Sequence, residues 1–266
     1  MRLCQPDVSV YDGHMLSSLK FITALLIGGY LLMCALLYFS QRAMIYHPQP
    51  RNLQSTPVMD VTSDGLTLKV STLPKASQQA VIYFGGNAED VSSSLPQLAQ
   101  AFPDAALYAL HYRGFGGSQG QPSEQALYAD ALALHARVAQ QHSQIIVIGR
   151  SLGSGVATYL GSQRPVQRLV LITPYSSIAD VAAAQFAWVP VRWLLKDHFD
   201  SMQHVSKGSV PVLIIAAQRD EVIPAWSTQR LFSAAPVALR RMEVIEGVGH
   251  NDISLHPDYL RLLAKL

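Results

Sequence analysis

Gly149-Arg150-Ser151-Leu152-Gly153 stands directly after the apolar run Ile145-Ile146-Val147-Ile148. A serine flanked by glycines at the end of a buried strand can be held on a tight strand-to-helix turn, its hydroxyl raised above the sheet. That hydroxyl is a poor nucleophile near neutral pH. It needs a base to take its proton and a third group to orient the base. In open α/β sheets such groups collect on loops after strands, here in the expected order serine, acid, histidine. Two later loops meet the requirement. Arg219-Asp220-Glu221-Val222 follows the run 212–217, and Gly247-Val248-Gly249-His250 follows the run 242–245. The expected catalytic residues are therefore Ser151 as nucleophile, Asp220 as acid and His250 as base. Glu221 is the neighbour that could replace Asp220, and Asp252 is read as shaping the histidine loop. Of nine histidines, His111 is the main rival base, because it too follows a strand.

A serine attacking a carbonyl creates an oxyanion, which needs backbone N–H donors already aimed at it. Leu152, the residue after the serine, would supply one. The other is expected from Phe84-Gly85-Gly86-Asn87-Ala88, at Asn87, with Gly86 as the alternative. A second glycine-rich stretch, His111 to Gly120, does not fit a dinucleotide loop: from Gly114, the third glycine position is Gln119. No lysine follows as a phosphate loop requires. This stretch is read as a wall of the site, with Tyr112 facing substrate and Arg113 a structural hydrogen-bonder.

The elements that must position these residues are legible as alternation. Runs at 58–63 and 66–72 flank Asp64-Gly65, a hairpin signal. Near-continuous apolar runs follow at 80–84, 106–110, 145–148, 169–172, 212–216 and 242–245, as expected of strands covered on both faces. Helix-like segments at 88–101, 123–141, 152–163 and 225–234 lie between them, the second with Ser123 placed to cap it. Strands alternating with helices predict an α/β fold, a mostly parallel sheet flanked by helices and begun by an antiparallel hairpin.

Composition bounds the rest. The 266 residues, with a net charge of +2 and 49% hydrophobic content, fit one ordinary globular domain plus a short extra segment. No basic stripe supports nucleic-acid binding. The two cysteines, Cys4 and Cys34, fall outside the expected globular part, so no disulfide framework or cysteine-rich metal site is available there. Residues 21–39 carry no charge, and about 19 helical residues span roughly the 30 Å hydrocarbon core. The expected organisation is an N-terminal tail (1–20), a transmembrane helix (21–39), a connector (40–57) and a hydrolytic domain (58–266). A cleaved signal peptide is the rival for the apolar run. Charges flank it evenly, Arg2 and Lys20 before, Arg42 and Arg51 after, so orientation is not decided. In a bacterial cell, the expectation is the inner membrane with the domain on the periplasmic side.

Several motifs add to this reading: Gly85-Gly86-Asn87-Ala88, Tyr112-Arg113-Gly114-Phe115-Gly116-Gly117-Ser118, Gln121-Pro122-Ser123-Glu124, Gly149-Arg150-Ser151-Leu152-Gly153, Lys196-Asp197-His198-Phe199, Arg219-Asp220 and Gly249-His250-Asn251-Asp252. In this order, from about Ala43 to the C-terminus, the chain resembles the membrane-anchored α/β-hydrolase-fold serine hydrolases. These include eukaryotic depalmitoylases, lysophospholipase-like enzymes and their bacterial relatives. The resemblance implies a triad of Ser151, Asp220 and His250, with oxyanion donors near Asn87 and Leu152. Two positions depart from the family pattern, which usually has histidine at Gly85 and aspartate at His111.

Residues 175–207 lie between two strands and are rich in apolar and aromatic side chains. They are expected to form a small lid, with Phe186, Trp188 and Trp193 contacting substrate. Together these readings predict hydrolysis of small-molecule carboxylic esters or thioesters, acyl or lipid substrates among them, through an acyl-enzyme on Ser151. The expected partners are that substrate and the lipid bilayer, with no nucleic acid; no metal or organic cofactor is needed. The alternatives are a serine peptidase of aminopeptidase type, and a non-catalytic membrane-tethered scaffold on the same fold.

Overall fold

The computed structural model describes residues 8–265, with side chains from residue 17. Residues 1–7 of the expected tail, Cys4 included, lie outside the described residues. The chain divides after Gln41 into two compact units. The first is occupied by helix α1 (Val8–Ile45), which runs on through Arg42–Ile45 of the second. Among the described residues, 17–45 form the helix long and apolar enough to cross a membrane, and Phe21, Leu26 and Phe39 are exposed on it. The helix overruns the expected 21–39 at both ends. The first proline after the apolar run is Pro48, so nothing in the backbone stops the ladder at Phe39.

The second unit is built on one eight-stranded sheet. Its elements are β1 (Val58–Ser63), β2 (Leu66–Leu73), β3 (Gln79–Phe84), α2 (Leu95–Ala101), β4 (Ala106–Leu110), α3 (Glu124–Val138), β5 (Gln144–Arg150), α4 (Leu152–Gln163), β6 (Arg168–Ile172), α5 (Ile178–Gln185), α6 (Val191–Leu194), α7 (Ser201–Ser206), β7 (Val212–Ala217), α8 (Ala225–Ala234), β8 (Arg240–Ile245) and α9 (Pro257–Ala264). The strand order is β1-β2-β4-β3-β5-β6-β7-β8. β1, β2 and β4 pair antiparallel, and from β4 through β3 to β8 every pairing is parallel. Asp64 and Gly65 join β1 to β2 with φ of 49° and 74°, the left-handed pair a two-residue hairpin turn demands.

Alternation within the central strands feeds two cores. Ala80, Ile82 and Phe84 of β3 pack on one face, Val81 and Tyr83 on the other, and Ile145/Val147 and Ile146/Ile148 of β5 divide the same way. This explains the unbroken apolar runs.

Two expectations about helices need correction. The segment 88–101 is helical only from Leu95, after a 3₁₀ turn at Val91–Ser94 capped by the Asp90 carboxylate. Pro96 can occupy only the first turn of an α-helix, so the helix starts just before it. Helix α9 was not anticipated. Pro257 opens it, Tyr259 and Leu263 are buried, and Leu260 and Leu262 pack partly buried against the same core, but the helix is only eight residues long. The 123–141 expectation shortens to Glu124–Val138, and Ser123 accepts from the Ala126 N–H as its cap.

Candidate active site

Ser151 lies between the end of β5 and the start of α4, with φ 50° and ψ −118°. This is a left-handed conformation that a non-glycine residue adopts only when its surroundings impose it. The surroundings are visible. The Ser151 N–H donates to the Ile172 carbonyl at 2.9 Å, and Ser154 returns two bonds, from N–H and Oγ, to the Ser151 carbonyl. The flanking glycines are required by space. A Cβ on Gly153 would lie 2.1 Å from the Phe84 carbonyl oxygen, and one on Gly149 would lie 2.3 Å from that of Gly153. Strand β3, the turn and α4 therefore approach one another at backbone distance.

The three residues expected to cooperate are brought together. His250 Nε2 is 2.9 Å from Ser151 Oγ. His250 Nδ1 faces both Asp220 oxygens, at 3.0 and 2.9 Å. The His250 and Asp220 side chains are both buried. Asp220 also accepts from the Val222 and Ile223 N–H groups, which fix its carboxylate after β7. Glu221 has a different position: its Oε2 accepts the His250 backbone N–H at 3.0 Å and so holds the histidine loop. Asp252 does the same for the Gly249 N–H. The rival His111 is engaged elsewhere, its Nε2 2.8 Å from Ser71 Oγ on β2. Burial pulls its pKa down to about 4; the Asp90 carboxylate opposes this and Arg51 adds to it.

The loop after β3 lies against this group. A Cβ on Gly86 would be 3.8 Å from Ser151 Cβ. The Gly86 N–H, however, donates to Glu89 Oε2 at 2.8 Å, so it is not free to receive an oxyanion. The Asn87 side chain and carbonyl tie the loop to the end of α1 at Ile45 and to His47 just beyond it. Its N–H meets no acceptor among the described residues. Leu152 opens α4, where a helix leaves its N–H donors unsatisfied.

Sequence reasoning missed what braces this loop. Glu89 Oε1 accepts from Tyr83 Oη and Ser94 Oγ, both at 2.7 Å. Glu89 Oε2 takes the Gly86 N–H and lies 3.5 Å from Arg150 Nη1. Arg150 in turn reaches the Asn251 carbonyl at 3.3 Å, on the histidine loop. Burial works against the Arg150 charge, but Tyr83 and Glu89 turn its net pKa shift upward. One carboxylate and one guanidinium thus link the glycine loop, the serine turn and the histidine loop. No local pattern announces this, because the partners are scattered from position 83 to 251.

Tyr112 was expected to face substrate. It is buried instead, and its hydroxyl donates to the Gly85 carbonyl at 2.8 Å, a second brace on the same loop. Arg113 is structural, as expected: it forks onto Asp130 and also meets Asp64 at 2.7 Å. Among the described residues, no group of three His, Cys, Asp or Glu side chains gathers as a metal site.

The comparisons with known proteins agree with this architecture. The family described as alpha/beta hydrolase fold matches residues 79–204. An uncharacterized protein of Mycobacterium tuberculosis is 37% identical over 251 residues, 88% of each chain. Alpha/beta hydrolase domain-containing protein 17C of Xenopus tropicalis is 32% identical over 70% of this chain and 61% of its own. This chain belongs to the α/β-hydrolase family. Among solved structures, an esterase of Pyrococcus furiosus superposes with a TM-score of 0.64 at 16% identity, over 82% of this chain and 97% of that one. The ferulic-acid-bound Est1E of Butyrivibrio proteoclasticus gives 0.64 at 14% identity, over 78% and 96%. At such identities these structures speak to the fold alone.

Against that family pattern, the two departures have physical readings. At Gly85, a Cβ would meet Val91 Cγ1 at 2.5 Å and Glu89 Cδ at 3.0 Å, so Val91 and Glu89 fill the space a side chain would take. At His111, the ring packs on Gly116, where a Cβ would lie 2.1 Å from Nδ1. Two quoted motifs lock each other. The Glu124 carboxylate accepts the His198 and Phe199 N–H groups, and Asp197 accepts the Glu124 N–H.

The segment expected to form a lid holds three short helices, α5 to α7. Phe186 is half-buried, but Trp188 is 55% exposed and Trp193 90% exposed. Those two rings face outward rather than line a closed pocket beside Ser151. A cavity of about 350 Å³ opens between these helices and α8, lined by Ser177, Asp180, Arg192, His198, Asp200 and Arg230 among others. Asp180 pairs with both arginines there.

Proposed function

We propose that this protein is a membrane-tethered serine hydrolase that cleaves carboxylic esters or thioesters by acyl transfer. One observation carries the reading: Ser151 Oγ is 2.9 Å from His250 Nε2, while His250 Nδ1 is held by Asp220.

In the first half-reaction, Ser151 Oγ attacks the substrate carbonyl carbon as His250 Nε2 takes the hydroxyl proton. Asp220 keeps the Nδ1 proton in place and stabilises the imidazolium. The carbonyl oxygen becomes an oxyanion facing the Leu152 and Asn87 N–H groups. The Gly86 N–H is excluded from this role by Glu89. Collapse breaks the ester or thioester bond, and His250 returns its proton to the leaving alcohol or thiol. Water, deprotonated by the same imidazole, then attacks the acyl-enzyme carbonyl; collapse breaks the acyl–Oγ bond, His250 returns the proton to Ser151 Oγ, and the acid leaves.

The exposed apolar surface of α1 supports the tether. Apolar substrates held in or near the bilayer suit an enzyme so placed. The test is a profile of p-nitrophenyl esters of rising chain length beside aminoacyl anilides, on wild type and Ser151→Ala. Ester turnover that vanishes in the variant supports the reading. Turnover of anilides alone replaces it with a peptidase.

A further inference from the structure

The outward tryptophans are unexplained by the chemistry. Residues 181–196 contain Phe186, Trp188 and Trp193, together with Lys196 and with Arg192, which pairs with Asp180, and no acidic residue of their own. Trp193 is 90% exposed on α6 and Trp188 is 55% exposed just before it. An exposed indole in water is costly, whereas aromatic rings with neighbouring basic residues are favoured at the level of lipid headgroups.

The position of this segment along the chain points the same way. Asp197, four residues after Trp193, is buried and binds Arg42 Nε at 2.9 Å and Tyr46 Oη at 3.2 Å. Arg42 is only three helical residues beyond Phe39, about 4.5 Å along the axis. If 21–39 cross the hydrocarbon, Arg42 falls in the headgroup layer, which adds roughly 5–7 Å on each side. Four residues reach at most about 14 Å, so Trp193 is within reach of that layer too.

We propose that residues 186–196 of the lid are a second membrane contact, with the Trp188 and Trp193 rings seated among lipid headgroups. The lid then faces the bilayer and the tether alone does not set the approach of the domain to lipid. This rests on the reading of 21–39 as a membrane span, which alkaline-carbonate extraction of the full chain tests separately and without any measurement of hydrolysis.

The direct test uses the full chain in phosphatidylcholine proteoliposomes. A single-tryptophan protein, Trp188→Phe with Trp226→Phe, isolates the Trp193 signal. The contact predicts blue-shifted emission, quenching by lipids brominated on their acyl chains, and protection from aqueous iodide. Iodide quenching without bromine quenching overturns it. Shielding that grows with protein density while brominated lipid has no effect also overturns it, and assigns the rings to a second copy of the chain. Photo-crosslinking of the wild-type chain from a headgroup-proximal diazirine lipid needs no variant. Adducts mapped to 186–196 support the contact, and their absence in a chain that resists carbonate extraction refutes it.

Discussion

Replacing Glu89 by alanine removes the single carboxylate that holds four groups around Ser151. Tyr83 is buried, and the loss of its acceptor at 2.7 Å leaves the phenol unpaired. An orphaned buried donor costs about 1–3 kcal/mol. The Arg150 side chain is 16% exposed and that of Glu89 12%, so Arg150 keeps its charge but loses its carboxylate, with the Tyr83 phenol and the Asn251 carbonyl left beside it. Breaking one side of a largely buried pair costs about 3–5 kcal/mol when burial is complete, and less here because solvent reaches both groups. Ser94 can turn to water. The sum is on the order of 4 kcal/mol, or a fall in Tm of roughly 10 °C. The effect on chemistry is separate. Release of the Gly86 N–H frees the loop that carries Asn87, and a misplacement of about 1 Å there costs up to about 10²-fold in kcat. Glu89→Gln keeps an acceptor for Tyr83 or Gly86 and should fall between wild type and alanine in both measurements. Urea unfolding and kcat on a p-nitrophenyl ester read the two effects. Should Glu89→Ala unfold within about 0.5 kcal/mol of wild type and retain its kcat, the bracing role assigned to this carboxylate is refuted.

Asp220→Asn should keep the Val222 and Ile223 N–H bonds through its amide oxygen and turn its NH₂ toward His250 Nδ1. That selects the wrong imidazole tautomer, and kcat should fall by about 10³- to 10⁴-fold with stability little changed. Gly153→Ala drives a methyl to 2.1 Å from the Phe84 carbonyl oxygen, a backbone atom that no rotamer change can move. It should cost about 3 kcal/mol in urea unfolding, and a near-neutral result would show that the serine turn is looser than described. His111 gives a pH dependence. Its folded pKa, about 4, lies below the ordinary 6.5, so the fold favours the neutral ring. The stabilisation is full above pH 6.5 and is lost as pH falls from there toward 4, up to about 3 kcal/mol. His111→Gln, which can still partner Ser71, should flatten that slope between pH 7 and 4.5; an unchanged slope assigns it to other groups.

Much of this was legible before any coordinates, and the reason is local. The apolar runs at 80–84 and 145–148 announce strands covered on both faces because each residue, odd or even, meets a core. Asp64-Gly65 and the glycines around Ser151 are demanded by backbone geometry that only a few residues tolerate. Asp220 and His250 follow strands that end on the same edge, so position along the chain locates them. Glu89 is different: its value lies in Tyr83, Ser94, Gly86 and Arg150, which meet only after β3, β5 and the histidine loop are in place. The lid misled in the same way. Its tryptophans look like pocket lining by composition, and only the fold shows that Trp193 faces outward.

The central claim is that Ser151 is made reactive by His250 and Asp220. Incubation of the purified full-length protein with a fluorophosphonate probe, followed by digestion and mass spectrometry, tests it directly. The account predicts a single adduct on the peptide carrying Ser151, absent in Ser151→Ala and strongly slowed in His250→Ala and Asp220→Asn. A well-folded wild type that takes no label, or one labelled at another residue, contradicts it.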